Sequence, residues 1–493
     1  MSARLEAGLS SLPRLLMRQH LVVALAVLGL VMPICARATV PANPTFTGPI
    51  ASTPTNPVWM ASQIDLSTYG YVEEEYFISG TANEYKLPLT APPTVTIANV
   101  PYTTRILVRR PEHPSNFSGK VILEPIHPGN SGTAAALAVA YRWIYLNGDT
   151  WVGVQQPGDN NGPQAFNPTR YSVLTYLPAL SIYDILSQVA ALLQSSSNPI
   201  HGLQVPDVIM TGFSFTCNTV TSYINDFHPY TTLVNGRPIV SGYVAGGCSV
   251  LITPINVPVI RANTQLDFDA ATRQPDKDTA PGQFRLYEIA GASHLGPADS
   301  LFASSPKVLR LLAPVIGSKP LEDYQECKEF GAPLYAAIND FPKGVIFDGI
   351  FRNIENWIRY GKPPPHAQPF VTNSSGQPIL DQYGNFQGGV RTPYVDEPIS
   401  TRVTAGTNCF IWGYQIPLSR STLEALYHNH DSYVREVATE THDLVKERWV
   451  TDDDAKQLIN QALNSSVPTP LDASLPAYFP PANGPRFSKG NPD

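Results

Sequence analysis

The sequence predicts a doubly wound α/β fold: a mostly parallel, eight-stranded sheet with an antiparallel edge strand, followed by a C-terminal, mainly helical cap region. Three observations lead there. Apolar, β-prone segments recur from Tyr69 to Ile289, helical patterns fall only between the later of them, and the last third of the chain changes to helices and tight turns. Early strands in direct succession pair antiparallel; later strands separated by helices must cross over and lie parallel.

The elements follow in order. Strands are expected at Gly70 to Ser79, Thr103 to Arg109, Lys120 to Ile126, Thr150 to Gln155, Val205 to Thr211, Ile239 to Ala245, Val257 to Asn263 and Phe284 to Ile289. Thr133 to Leu146 and Ser181 to Leu193 space their apolar residues near 3.6, and Asn218 to Phe227 is amphipathic, so all three read as helices. Beyond them, Pro342 to Tyr360 is a helix closed by Gly361 and the prolines 363 to 365, and Ser419 to Val437 and Thr451 to Leu463 are two more. Ile379 to Val395 carries the turn chemistry of a hairpin or tight loop. The domain reading is 1–38 signal segment, 39–310 core, 311–475 cap packed over the sheet rim, and 476–493 loose tail.

Gly212-Phe213-Ser214-Phe215-Thr216 stands between the strand ending near Thr211 and the helix from Asn218. A serine on a sharp strand-to-helix turn has its hydroxyl pushed out at the end of the sheet, and its neighbours two residues away must be small because strand and helix pass closely. The pattern alone occurs by chance about once in a chain this long. Its context carries the inference. Asp267 and Asp269 follow one later strand, and His294 follows the next, so the chain order is Ser, Asp, His. Residues just past the carboxyl ends of neighbouring parallel strands converge on one rim.

Residues 1–38 read as an export signal: Arg4, Arg14 and Arg18, an apolar run from Leu21 to Met32, then Ala36-Arg37-Ala38 as a small-x-small cleavage site after Ala38. The run is too short for a bilayer that needs about 20 apolar residues. The expected location is therefore periplasmic or secreted, with no membrane partner after cleavage. Lys and Arg number 33 against 40 Asp and Glu, a formal charge of −7 that argues against nucleic acid as a partner. In a compartment that permits disulfides, Cys217 with Cys248 and Cys327 with Cys409 are candidate pairs, with buried free thiols as the alternative. Oligomeric state is open.

Several stretches resemble one family. Glu73-Glu74-Glu75-Tyr76, Pro101 to Pro111, the elbow, Ala290-Gly291-Ala292-Ser293-His294, Gly384-Asn385 with Gly388-Gly389-Val390-Arg391-Thr392-Pro393, and Ala455 with Ala462 are similar, in order over roughly residues 65 to 465, to the exported alpha/beta-hydrolase domain family. The resemblance implies the hydrolase fold, a serine nucleophile at Ser214 and a histidine base at His294. Relatives often carry glutamate where Gln265 stands, which moves the expected acid to Asp267, with Asp269 as the alternative; Thr216 stands where relatives often have serine.

The expected chemistry is hydrolysis of a small-molecule carboxylic ester or lactone through an acyl-enzyme, without cofactor or metal. Oxyanion donors are expected at Phe215 and in the loop holding His127, Gly129 and Asn130, where Pro128 has no N–H to give. Phe213, Trp143 and Arg391 are candidate pocket residues, with Tyr171 beside them; Arg391 reads first as a buried tie between cap and core and second as a contact to a substrate carboxylate or hydroxyl. The plain readings are a helix N-cap for Ser214, a structural loop residue for His294, turn caps for the aspartates, and core for the aromatics. His428 and His430, at i and i+2 of a helix, face apart and do not suggest a metal site. Acyl transfer with the same residues, or a silent binding protein of hydrolase fold, are the competing functions.

Overall fold

The computed structural model describes residues 39–62, 64–128, 134–156, 162–175, 178–296, 339–404 and 413–470. The signal segment, Gly129 and Asn130, Cys327, Cys409 and the tail lie outside them. Nine strands form one sheet: β1 Thr45–Thr47, β2 Tyr71–Tyr85, β3 Val95–Pro111, β4 Lys120–Pro125, β5 Thr150–Val154, β6 Asp207–Phe213, β7 Gly242–Gly246, β8 Val259–Asn263 and β9 Phe284–Glu288. Their spatial order is β1-β2-β3-β5-β4-β6-β7-β8-β9. The three pairings from β1 to β5 are antiparallel and the five from β5 to β9 are parallel. The expected sheet is thus present with one strand more, the short β1, and its antiparallel edge is a three-strand ribbon.

Two apolar layers cover the sheet. Along β4 and β6 the side chains alternate: Ile122 and Ile209 enter one core with helix α1 (Ala135–Leu146), while Val121, Leu123, Val208 and Met210 enter the other with α2 (Ile182–Leu193) and α3 (Phe215–Ser222). The helices after the neighbouring strands β4 and β6 therefore leave on opposite faces, which opens a crevice at the carboxyl ends of those strands.

Two family-like stretches spend their charges on each other. On paired strands β2 and β3, Arg109 meets Glu73, Arg110 meets Glu74, and the fully buried Arg105 meets Glu75, which also takes Arg170. Their role is to hold the antiparallel ribbon.

The C-terminal region is helical, but its first helix is not a lid on the rim. α4 (Gly344–Tyr360) buries Ile346, Ile350, Ile354 and Trp357 in the same core as α1, so it is part of a layer of the sheet itself. The apolar faces of β7 and β8 need that cover on the side of α1. At Gly349 a Cβ would stand 2.0 Å from the Trp449 carbonyl, so the later chain is packed directly onto α4. The expected single helix from Ser419 is two, α5 (Arg420–Tyr427) and α6 (His430–Lys446): His428 adopts φ 57°, and the Asn429 side chain accepts from Ser432 N–H to start a new helix. Then α7 (Asp452–Leu463) begins on a Thr451 cap. The short strands β10 (Ser400–Val403) and β11 (Tyr414–Pro417) form a separate hairpin. Among the described residues no helix is long and apolar enough to cross a membrane.

Candidate active site

Ser214 is held at φ 61° and ψ −127°, a conformation that most residues avoid and that lifts its side chain off the end of β6. Its N–H donates to the Gly246 carbonyl at the end of β7, and the Thr216 hydroxyl closes the turn by accepting from Phe213 N–H and donating to Phe213 C=O, both at 2.9 Å. A Cβ on Gly212 would lie 2.4 Å from the Thr216 carbonyl, which is the close passage that the small flanking residues allow. A disulfide between Cys217, on the first turn of α3, and Cys248, just past β7, ties the helix behind the serine to the next strand. The pair Cys327 with Cys409 lies outside the described residues.

The three side chains expected to meet do so. Ser214 Oγ is 2.7 Å from His294 Nε2, and His294 Nδ1 is 2.8 Å from Asp267 Oδ1. Asp267 sits in the loop just beyond β8, three residues after Thr264, and its second oxygen, Oδ2, accepts from the Thr264 hydroxyl at 2.5 Å. Burial alone would push the Asp267 carboxyl up; the His294 charge, then hydrogen bonds from His294 and Thr264, outweigh it and hold the group below the ordinary aspartate range. Asp269 turns away and caps the turn at residues 270–272 through Ala271 N–H. It makes no hydrogen bond to His294 among the described residues.

Phe215 is the first residue of α3, so its N–H has no carbonyl within the helix to bond. Its half-exposed ring lies 5.4 Å from the His127 ring at the end of β4. Gly129 and Asn130 follow outside the described residues. Gln156 joins the two walls: its amide donates to the Ile126 carbonyl and its oxygen accepts from Thr219 on α3.

The expected pocket residues lie elsewhere in role. Phe213 is fully buried, its ring 5.1 Å from that of His294, and so forms a floor under the imidazole. Trp143 stands near the far end of α1, where its Nε1 donates to Glu355, because that part of α1 packs on α4 rather than on the crevice. Tyr171 donates to Glu75 in the ribbon's ion-pair network. Arg391 is engaged by Asp396 and the Phe386 carbonyl, with Asp381 3.6 Å away, which makes it an internal tie of the C-terminal region.

Two contributors escape a motif reading: Thr264, whose only signal is a Thr three residues before the acid, and Gln265, whose side chain accepts from Gly291 N–H while its own N–H donates to the Ala292 carbonyl at 3.1 Å. These bonds join the acid loop to the histidine turn.

The family model described as alpha/beta hydrolase domain matches residues 46–460. Among solved structures, a lidless serine hydrolase of Xanthomonas campestris is 13% identical, with 49% of this chain covering 81% of that one at a TM-score of 0.22. A cold-adapted esterase from an Arctic intertidal metagenomic library is 10% identical, with 50% of this chain covering 92% of that one at a TM-score of 0.26. No curated protein matches the chain.

Proposed function

The chain belongs to the alpha/beta hydrolase domain family, and from that premise we propose that it is a serine hydrolase cleaving a small carboxylic ester or lactone through an acyl-enzyme intermediate. The observation that carries the reading is the continuous relay from Ser214 Oγ through both nitrogens of His294 to Asp267. In it, Ser214 Oγ attacks the acyl carbon while its proton passes to His294 Nε2; collapse of the adduct breaks the bond to the alcohol oxygen, which takes that proton. A water activated by the same imidazole then cleaves the acyl-enzyme and frees the serine. Asp267 orients Nδ1–H and stabilises the imidazolium.

The Phe215 N–H and a backbone donor in the loop after β4 are the proposed oxyanion contacts, each worth about 10²- to 10³-fold in rate. Export is part of the proposal, supported by the sequence pattern of residues 1–38 and by the Cys217–Cys248 bond, which suits an oxidising compartment. The test is a panel of p-nitrophenyl esters and lactones assayed on wild type and Ser214→Ala. Turnover confined to the wild type supports the reading; equal turnover by both removes Ser214 as nucleophile.

A further inference from the structure

We propose that Asn339, locked in place by Arg402, is a positioning residue for His294, so that the chain beyond residue 338 takes part in organising the site. The inference rests on the hydrolase reading above. It starts from Gly291, three residues before the histidine, which turns the chain at φ 80°. Both polar groups of its backbone are held from outside the turn. The N–H donates to Gln265, two residues before Asp267; the carbonyl accepts from Asn339 Nδ2 at 2.7 Å. One clamp jaw thus comes from the acid loop and the other from the C-terminal region.

The second jaw is itself fixed. Asn339 is fully buried, and its Oδ1 accepts from Arg402 at 2.6 Å and from Phe341 N–H at 3.2 Å, which leaves Nδ2 only one sense in which to point. Arg402, 1% exposed, also pairs with Asp340 at 2.8 Å, donates to the Tyr394 carbonyl and lies over the Tyr394 ring at 4.7 Å. Its aliphatic Cδ lies 3.1 Å from where a Cβ on Gly291 would be, so packing and hydrogen bonding press on the same peptide. One residue earlier, Ala290 N–H donates to the Val390 carbonyl, and Val390 N–H to Glu288. The chain leading into His294 is therefore bracketed at residues 288–291 by residues 339–402. A shift of about 1 Å in a catalytic group can cost about 10²-fold, so the geometry at Nε2 depends on this bracket.

The experiment uses the full chain. Asn339→Asp keeps the shape and the bonds to Arg402 and Phe341 but sets an acceptor against the Gly291 carbonyl; Asn339→Ser shortens the side chain without burying a charge. Each is assayed with a p-nitrophenyl ester, kcat being normalised to serines titrated by a fluorophosphonate, with a thermal melt alongside. For the variants that fold, kcat per titrated serine is expected to fall about 10- to 100-fold with KM within about threefold. A purely structural role would lower the melting temperature and the titrated fraction but leave kcat per serine intact. A folded variant of either kind with kcat within twofold of wild type overturns the proposal while the hydrolase reading stands. A wild type that neither titrates nor turns over any ester overturns that reading and, with it, this one.

Discussion

His294 Nδ1 faces Asp267 Oδ1 at 2.8 Å, while the carboxylate of Asp269, two residues further on, is spent on a turn. The pair therefore predicts a ranking. Asp267→Asn should lower kcat by about 10³- to 10⁴-fold, since the imidazole then loses both its tautomer and its counter-charge. Asp269→Asn should stay within about threefold, because it removes only a cap. Steady-state kinetics on both variants decide the matter, and the reverse order would hand the acid's role to Asp269.

Thr264 acts through Asp267. Its hydroxyl and N–H both point at Oδ2, and the hydroxyl is among the groups that hold the carboxyl below its usual range. Thr264→Val removes the charge-assisted bond, worth about 1.5 to 3 kcal/mol. The carboxyl then rises toward the ordinary range. A carboxylate held low contributes stability above its unfolded pKa and loses it as pH falls through the folded value, so the variant should lose stability at a higher pH than wild type on the acid side of its unfolding profile. Coincident acid limbs in wild type and Thr264→Val would show that the hydroxyl is idle.

Much of this was legible from residue patterning, and the failures have physical causes. The strands from β4 to β9 announce themselves because each is a short apolar run bounded by turn residues, and β6 with its glycine elbow locates the serine; β2 and β3, which run on to Tyr85 and start back at Val95, show only their more apolar parts to such a reading. β1 is three residues long and carries no periodicity to read. α4 looked like an accessory because sequence order hides which face of the sheet lacks cover; only the layer on β7 and β8 shows that the core needs it. The aromatic candidates failed because a hydrophobic ring reads alike in a core and in a pocket: Trp143 and Phe213 are the former. The clamp on Gly291 spans residues 265, 339 and 402, and no local pattern connects them.

The glycine pair in Gly388-Gly389-Val390-Arg391 brings backbone against backbone. A Cβ on Gly389 would lie 2.4 Å from the Phe370 ring and 2.5 Å from the Glu288 carbonyl, at φ 78°. That contact lets Val390 bridge to Ile289, just past the end of β9, covering part of an otherwise open sheet edge. Gly389→Ala is expected to cost about 2 to 4 kcal/mol, from overpacking together with the left-handed backbone. A melting temperature unchanged from wild type would mean that the edge contact is dispensable.

Cys217 and Cys248 close a ring whose ends are 31 residues apart and which contains β7. On the chain-entropy account such a link stabilises by about 3 to 4 kcal/mol. Cys217→Ser with Cys248→Ser should lower the melting temperature by several degrees, and a reductant should do the same to wild type but not to the double variant. Intact-mass analysis under alkylation gives the direct check: two free thiols at these positions in the untreated protein would contradict the bond.

Asp348 on α4 and Asp454 on α7 are buried together where these helices meet, with Arg142 Nε 4.0 Å from Asp454. Burial first, and then the charge of Asp454, pushes the Asp348 carboxyl far above its usual range; burial also raises Asp454, to about 6. Groups whose folded pKa is raised contribute stability that is complete below their unfolded pKa, near 4, and is lost as pH climbs through the folded value. Melting temperature should therefore fall between about pH 4 and pH 8, and Asp348→Asn, which can donate a hydrogen bond to Asp454 without a titrating proton, should flatten the decline and raise the value at pH 8. Parallel curves for the two proteins across that range would place the pH dependence in other groups.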